Sequence, residues 1–125
     1  MADKQKTVLY LDDETDLLLL VCDLLRAEGY RVMSAEKAED ALELLEKNLP
    51  DIILADVKLP GIDGFEFYRR VRMIENLKTT PFVFVTAFND LAAIESARLL
   101  GASEYVTKPF DFEHLVATVQ TLLTA

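Results

Sequence analysis

The chain has little cysteine, glycine or proline, with one Cys, four Gly and four Pro among 125 residues. Because Cys22 stands alone, the chain can form neither an internal disulfide nor a cysteine-based zinc site. Every apolar run is far shorter than the roughly 20 residues that a membrane-spanning helix needs. The sequence also has no internal repeat, low-complexity tract or linker. We therefore expect a single domain over residues 1–125 that does not associate with a membrane.

Positive charge is scarce as well, since 13 Lys and Arg stand against 22 Asp and Glu, for a formal net charge of −9. Recognition of a nucleic-acid backbone needs a basic patch, so we expect no direct nucleic-acid binding by this chain. The first residues, MADKQKT, lack the basic and apolar regions of a secretory signal. A cytoplasmic protein is therefore predicted.

The hydrophobic pattern predicts five strands and five helices in strict alternation. The strands are predicted at residues 7–11, 30–35, 51–55, 81–86 and 103–107. The helices are predicted at 15–28, from 38 and at about 65–75, and two more are predicted with Asn89 or Asp90 and with Asp111 as their N-caps. Such alternation is typical of an α/β doubly wound fold, a parallel sheet with helices on both faces. Ligands of this fold class bind beyond the carboxyl ends of the strands.

The predicted strand ends carry reactive side chains: Asp12 and Asp13 after the first strand, Asp56 after the third, Thr86 on the fourth and Lys108 after the fifth. Carboxylates gathered at one edge repel one another and require a cation. Mg²⁺ binds carboxylates and carbonyls and leaves positions for phosphate oxygens. The pattern therefore predicts Mg²⁺-dependent phosphoryl chemistry. Asp56 would be the nucleophile, and Thr86 and Lys108 would donate to phosphoryl oxygens.

Four segments resemble the receiver domains of two-component response regulators over essentially the whole chain: VLYLDDE, DIILADVKLPGIDG, FVFVTAF and EYVTKPF. Each is weak alone, whereas the four in this order are specific. The resemblance implies a flavodoxin-like (βα)5 fold with a five-stranded parallel sheet in the order 2-1-3-4-5. It also implies a cis peptide bond between Lys108 and Pro109.

The resemblance assigns roles to the acids at the predicted site. Asp56 is implied to be the phosphoacceptor and a metal ligand, and Asp13 a direct Mg²⁺ ligand. Asp12 is implied to bind the metal through water, and Lys58 through its backbone carbonyl. The implied partners are a sensor histidine kinase or histidine phosphotransfer protein, contacting the first helix, and a downstream effector. The chain would catalyse only its own phosphorylation and dephosphorylation.

The resemblance also implies a switch, in which Thr86 is drawn toward the phosphoryl group and Tyr105 turns inward. The surface of the fourth helix, fifth strand and fifth helix would then change shape. Strands favour tyrosine regardless of switching, so a packing role for Tyr105 stays open.

Two departures from common receiver sequences carry predictions. Lys58 and Phe88 stand where other receivers place residues that influence hydrolysis of the phosphoryl group, and neither offers a carboxylate or amide to orient water. We expect slow self-dephosphorylation. Thr118 and Gln120 occupy positions where regulators that dimerise through this face show basic residues, which argues against that dimer.

Several residues near the strand ends are assigned structural roles. Glu14 is predicted to be an acid of the first helical turn, and Asp63 a turn residue. The lone His114 is expected to be a solvated helix residue, with Phe110 and Phe112 packing against the core. Cys22 is predicted to be a small apolar residue without a lowered pKa.

Two other functions fit parts of the pattern. A haloacid dehalogenase-type phosphatase also uses acids, a threonine and a lysine. It needs its nucleophile in the first acidic motif and another acidic pair after the lysine, where this chain has only Asp111 and Glu113 at a predicted helix start. A pseudo-receiver would keep the fold and signal without phosphate. Such modules usually lose an acid or the lysine, and loss of Mg²⁺ binding would identify one.

Overall fold

The computed structural model describes residues 4–87 and 89–124. The strands are β1 (Thr7–Leu11), β2 (Arg31–Ala35), β3 (Ile52–Asp56), β4 (Phe82–Ala87) and β5 (Glu104–Lys108). The helices are α1 (Thr15–Ala27), α2 (Ala38–Leu45), α3 (Gly64–Arg72), α4 (Leu91–Leu99) and α5 (Phe112–Thr124), and a 3-10 turn (Glu75–Leu77) follows α3.

All neighbouring strands pair in parallel, in the order β2-β1-β3-β4-β5. The predicted α/β fold and strand order are therefore confirmed. The carboxyl ends of β1 and β3 lie side by side, with Leu11 opposite Ala55. Asp56 is in turn opposite Val85 of β4. The peptide bond between Lys108 and Pro109 is cis, as the resemblance implied.

The three central strands carry a core on each face of the sheet. In β1 and β3, Leu9 and Ile53 face one core cluster, while Val8 and Ile52 face the other. Every residue of β3 is buried, as expected for a strand covered on both faces. This double burial leaves the strand ends as the place where the central strands meet solvent.

Helix α1 has apolar residues on more than one face, and the spacing of Leu17, Val21 and Leu24 is also helical. The helix buries Leu18, Val21, Cys22 and Leu25. Leu17 and Leu24 are only partly buried. Four consecutive leucines, Leu17 to Leu20, make more than one apolar stripe available, so spacing alone does not choose the inward face. Burial raises the pKa of the Cys22 thiol, in agreement with its predicted role as a small apolar residue.

Three strands, β3, β4 and β5, are displaced by one residue from their predicted bounds, and in β3 and β5 this places the reactive groups inside the sheet. Asp56 is the last residue of β3, and Lys108 is the last residue of β5. Their backbones are therefore held by the strand pairing rather than by loops. Such placement restricts where the two side chains can reach.

Helix α4 is held to the sheet by little apolar surface. Its buried residues are the small Ala93 and Ala97. Asp90 is the N-cap residue, and its side chain accepts a hydrogen bond from the Ala93 N–H at 3.1 Å, as predicted. An element with so few buried contacts can shift at modest free-energy cost.

Across residues 4–87 and 89–124, the helices are all too short or too polar to cross a membrane.

Gly64 generates a prediction about stability. A Cβ added there would lie 2.2 Å from the Asp56 carbonyl oxygen and 2.8 Å from the Val57 Cα, both backbone atoms. Gly64→Ala is therefore expected to lower the free energy of unfolding by about 3 kcal/mol or more, measured with urea. Gly101→Ala is the control, because Gly101 has φ +83° and no atom within 4 Å of the added Cβ. It should cost only about 1 kcal/mol. Equal losses in the two variants would contradict the steric argument.

Candidate functional site

Three carboxylates meet at the carboxyl edge of the sheet. One oxygen each of Asp12, Asp13 and Asp56 lies within 4.8 Å of the others. Asp12 is fully buried, Asp56 is nearly so, and Asp13 is exposed. The adjacency of β1 and β3 brings the acids together, because the residues after Leu11 lie beside the end of β3. The sequence prediction that these three acids form one cluster is therefore confirmed.

The Lys108 ammonium lies among the carboxylates. Its Nζ is 2.8 Å from Asp56 Oδ2, 2.9 Å from Asp12 Oδ2 and 3.0 Å from Glu14 Oε1. An ammonium has three N–H donors, so these three acceptors match its whole donor capacity. Lys108 therefore neutralises part of the acidic cluster and joins β5 to β1 and β3.

The Asp12 carboxylate is held by donors from three directions. Its Oδ2 accepts from the Tyr10 hydroxyl at 2.7 Å and faces the Lys108 ammonium at 2.9 Å. Its Oδ1 accepts from the Glu14 backbone N–H at 2.9 Å. Both oxygens are thus engaged within the protein, which favours an indirect contact with any metal over direct ligation.

Glu14 has a larger role than the first-turn acid that the sequence predicted. It is the N-cap residue of α1, yet its side chain points to Lys108 rather than capping the helix. Its side chain is 62% exposed, so this ion pair contributes little stability. The run of three acids in the sequence indicates a site near Glu14. Spacing along the chain does not show that Lys108 of β5 lies within reach of the Glu14 carboxylate.

Tyr10 was not identified from the sequence as a site residue. It lies on the same face of β1 as Asp12, two residues earlier, and its ring is fully buried. Burial, followed by the hydrogen bond to Asp12, raises the pKa of the Tyr10 phenol, so it remains a donor at neutral pH. The sequence signal for this contact is a tyrosine two residues before an acid in extended chain, since that spacing places both side chains on the same side.

Burial and the ion pairs act on the titrating groups in opposite directions. Burial raises the pKa of the Asp56 carboxyl above its ordinary value, and the Lys108 ammonium only partly offsets this. For Lys108, burial lowers the pKa of the ammonium, but the hydrogen bonds to Asp56, Asp12 and Glu14 outweigh it and raise the pKa. Lys108 is therefore a permanent cation at neutral pH.

The cluster carries more negative than positive charge. One ammonium contacts Asp12, Glu14 and Asp56, and Asp13 lies in the same acidic cluster. A further cation would relieve the remaining repulsion. The donor set is all oxygen, which is what Mg²⁺ accepts, and Asp13 is open to solvent. The residues present therefore fit a magnesium ion.

The loop after Asp56 is fixed on both sides of the site. The Val57 N–H donates to the Val85 carbonyl at 3.0 Å, and the Gly64 N–H donates to the Val57 carbonyl at 2.8 Å. The Lys58 N–H lies 3.3 Å from Asp56 Oδ1. The Lys58 ammonium is 3.6 Å from Asp90 Oδ2, across an open groove of about 700 Å³ between this loop and α4. The groove reaches Asp13 and provides access to the acids.

Thr86 and Tyr105 occupy different environments. Thr86 is 2% exposed near the end of β4 and is paired with Thr107 of β5. Tyr105 lies opposite Phe84 on the edge strand, and the residue is 37% exposed. The structure thus places Tyr105 at the surface beside α4. Phe88, the second residue of the hydrolysis prediction, lies outside the described residues.

The remaining predicted residues have structural positions. Asp63 caps α3 by accepting from the Glu66 N–H at 2.9 Å, and His114 is exposed. Asp111 accepts from the Glu113 N–H at 2.9 Å at the start of α5, so its carboxylate serves the helix start. Phe110 and Phe112 contact each other edge to face, with ring centroids 5.7 Å apart.

Comparison with known proteins is consistent with this geometry. A family model described as response regulator receiver domain matches residues 8–120. The sporulation initiation phosphotransferase F of Bacillus subtilis is 32% identical over 117 residues, covering 93% of this chain and 92% of that protein. The transcriptional regulatory protein TrcR of Mycobacterium tuberculosis is 40% identical over 93% of this chain, which spans only 44% of TrcR.

A solved structure offers a further likeness. The receiver domain of a sensor histidine kinase from Pseudomonas aeruginosa PAO1, with a magnesium ion coordinated in its active site cleft, is 27% identical and superposes with a TM-score of 0.89. The match covers 98% of this chain and 100% of that domain. The likeness therefore extends over the complete fold.

The raised pKa of Asp56 generates a stability prediction. Because the folded pKa lies above the unfolded one, the fold favours the protonated carboxyl, and stability falls as the pH rises through the folded pKa. Asp56→Asn is expected to resist urea better than the native protein at pH 7 without Mg²⁺. This gain should shrink as the pH is lowered through the raised pKa into the acid range.

The exposed Asp23 provides the control for this measurement, because its side chain is 79% exposed. Asp23→Asn should change stability little at either pH. An Asp56→Asn protein less stable than the native one at pH 7 would contradict the assignment of burial as the dominant influence on Asp56.

Proposed function

Because this chain belongs to the response regulator receiver domain family, we propose that it accepts a phosphoryl group on Asp56 from a phosphohistidine. The observation that carries the proposal is the contact between Asp56 and Lys108, at 2.8 Å, inside a cluster of three carboxylates. This arrangement combines a nucleophilic oxygen with a fixed cation for the incoming charge.

In the proposed reaction an Asp56 oxygen attacks phosphorus, a P–O bond forms, and the P–N bond to the donor imidazole breaks. The imidazole leaves with the bonding pair and takes a proton from solvent, and Asp56 has no proton to lose when ionised. Lys108 exchanges its contact with the Asp56 carboxylate for one with a phosphoryl oxygen. Thr86 donates its hydroxyl to another of these oxygens.

We propose that Mg²⁺ is held by Asp13, Asp56 and the Lys58 carbonyl, with Asp12 acting through water. When bound, the ion neutralises the charge of the phosphoryl oxygens. The three donors on the Asp12 carboxylate support its indirect role. The solvent exposure of Asp13 supports direct ligation by that residue.

The donor is proposed to be a sensor histidine kinase or a histidine phosphotransfer protein that docks on α1. Leu19 and Leu20 of this helix are 59% and 49% exposed and are adjacent in sequence. A pocket of about 350 Å³ beside Lys108 is lined by Leu17, Leu20, Phe110 and Phe112 among others. Apolar docking there would bring a phosphohistidine to the edge of the site.

The output is proposed to pass through α4, β5 and α5 to an effector domain or protein. The weak attachment of α4 and the exposed position of Tyr105 support a change at this face. Thr86 would move toward the phosphoryl group and allow Tyr105 to turn inward. The protein would be a cytoplasmic signalling domain spanning residues 1–125, catalysing only its own phosphorylation and dephosphorylation.

The two rival functions find no support in the site. A pseudo-receiver is disfavoured because the three acids form one cluster and Lys108 contacts two of them. The phosphatase needs an acidic pair after the lysine within the site, whereas Asp111 accepts a hydrogen bond at the start of α5.

Phosphorylation of Asp56 is tested by intact mass after incubation with a small acyl phosphate and Mg²⁺. The native chain is expected to gain one phosphoryl group only when Mg²⁺ is present, because the carboxylates otherwise repel the donor. Asp56→Asn should gain none, and Asp63→Asn, at the nearby helix cap, should react as the native chain does. An unmodified native chain would contradict the proposal and favour the pseudo-receiver.

The phosphorylated protein is predicted to hydrolyse slowly. The Lys58 side chain is 81% exposed and pairs with Asp90 rather than turning toward Asp56, and it has no group that orients an attacking water. Lys58→Asn introduces an amide at this position and is expected to shorten the half-life. Loss of the phosphoryl group followed by intact mass gives both half-lives. A native half-life of only seconds would refute the prediction.

A further inference from the structure

The Tyr10 hydroxyl begins a chain of hydrogen bonds that leads from the core to the nucleophile. It donates to Asp12 Oδ2 at 2.7 Å. The same oxygen is 2.9 Å from the Lys108 ammonium, and that ammonium is 2.8 Å from Asp56 Oδ2. Tyr10 of β1, Asp12 directly after that strand, Lys108 of β5 and Asp56 of β3 are thus linked in one line, with the ion pair of Asp12 and Lys108 in the middle.

The surroundings of Tyr10 show that its hydroxyl is a specific feature of the strand. The ring is fully buried in the cluster that includes Leu54, Val85 and Leu115. A phenylalanine would supply the same ring to this core. A buried hydroxyl is costly unless it is hydrogen-bonded, and Asp12 is the acceptor that satisfies it.

The hydroxyl restricts the orientation of the Asp12 carboxylate. With Oδ1 held by the Glu14 N–H and Oδ2 held by Tyr10, the carboxylate plane is fixed at both ends. The position of Oδ2 then sets where the Lys108 ammonium can lie. Without the Tyr10 contact, Asp12 could rotate, and Lys108 could follow it toward the exposed Glu14.

We propose that Tyr10 is a positioning residue for phosphoryl transfer, acting through Asp12 to hold the Lys108 ammonium against Asp56. The effect of Tyr10 on the phosphorylation rate rests on the proposed function, in which Lys108 meets a phosphoryl oxygen on Asp56. The effect of Tyr10 on the position of the Lys108 ammonium is independent of the proposed function. Substitution of a residue that orients a reacting group through one intervening side chain typically lowers activity by about tenfold or more.

The test compares Tyr10→Phe with Tyr68→Phe. Tyr68 is also buried, and its hydroxyl donates to the Leu100 carbonyl at 3.1 Å, outside the acidic cluster. Each variant loses one tyrosine hydrogen bond, buried for Tyr10 and part-buried for Tyr68, so urea unfolding should show losses of stability of the same order. The pair therefore separates a general loss of stability from a loss of positioning.

The first readout is phosphorylation by a small acyl phosphate at saturating Mg²⁺. Tyr10→Phe is expected to lower the maximal rate constant about tenfold, with the half-saturating donor concentration within about twofold of the native value. Tyr68→Phe should leave both within about twofold. Equal rates in the Tyr10→Phe and native proteins would overturn the proposal.

The second readout needs no phosphorylation. In the native protein without Mg²⁺, NMR should show slowly exchanging protons on the Tyr10 hydroxyl and the Lys108 ammonium, close enough for a through-space contact. The ammonium signal should broaden or disappear in Tyr10→Phe and persist in Tyr68→Phe. If the Tyr10 hydroxyl and the Lys108 ammonium show no through-space contact in the native protein, the proposal fails. This outcome needs only the native protein, so it does not depend on the folding of a variant. If the native chain is not phosphorylated but the contact is present, only the proposed function fails.

Discussion

The contact between the Lys108 ammonium and three carboxylates is the interaction on which the site depends. Asp12 and Asp56 are buried at the edge of a sheet covered on both faces, where unpaired charges would be strongly unfavourable. Lys108 compensates them and links strands that are far apart in sequence. The compensation is incomplete, because the acids outnumber the ammonium, and a divalent cation would relieve the remaining repulsion.

The backbone around the proposed phosphorylation site is held firmly, whereas the helix of the proposed output surface is held weakly. Asp56 and Lys108 end strands of the sheet, and Gly64 lets α3 begin directly against the Asp56 backbone. These features hold the reacting groups in place. Helix α4, by contrast, rests on Ala93 and Ala97, so its displacement costs little free energy. A domain built this way can convert a local charge change into a change of surface.

Much of this arrangement was predictable from the sequence, because short apolar runs mark the strands and the reactive side chains stand at their ends. The fold, the strand order and the acidic cluster follow from that pattern and the receiver resemblance. The inward face of α1 could not be predicted from the sequence, because its consecutive leucines form several equivalent apolar stripes along the helix. The contacts of Tyr10 and Glu14 also escaped prediction, because both depend on Asp12 or Lys108 reaching them in three dimensions.

The central claim is that Lys108 exchanges the Asp56 carboxylate for a phosphoryl oxygen while Asp12 keeps it in place. A crystal structure with Mg²⁺ and beryllium trifluoride, a stable mimic of the phosphoryl group, tests it most directly. The account predicts the mimic on Asp56, with the Lys108 ammonium hydrogen-bonded to a fluorine atom and still in contact with Asp12. A Lys108 side chain turned away from the mimic, or a mimic bound to another residue, would contradict it.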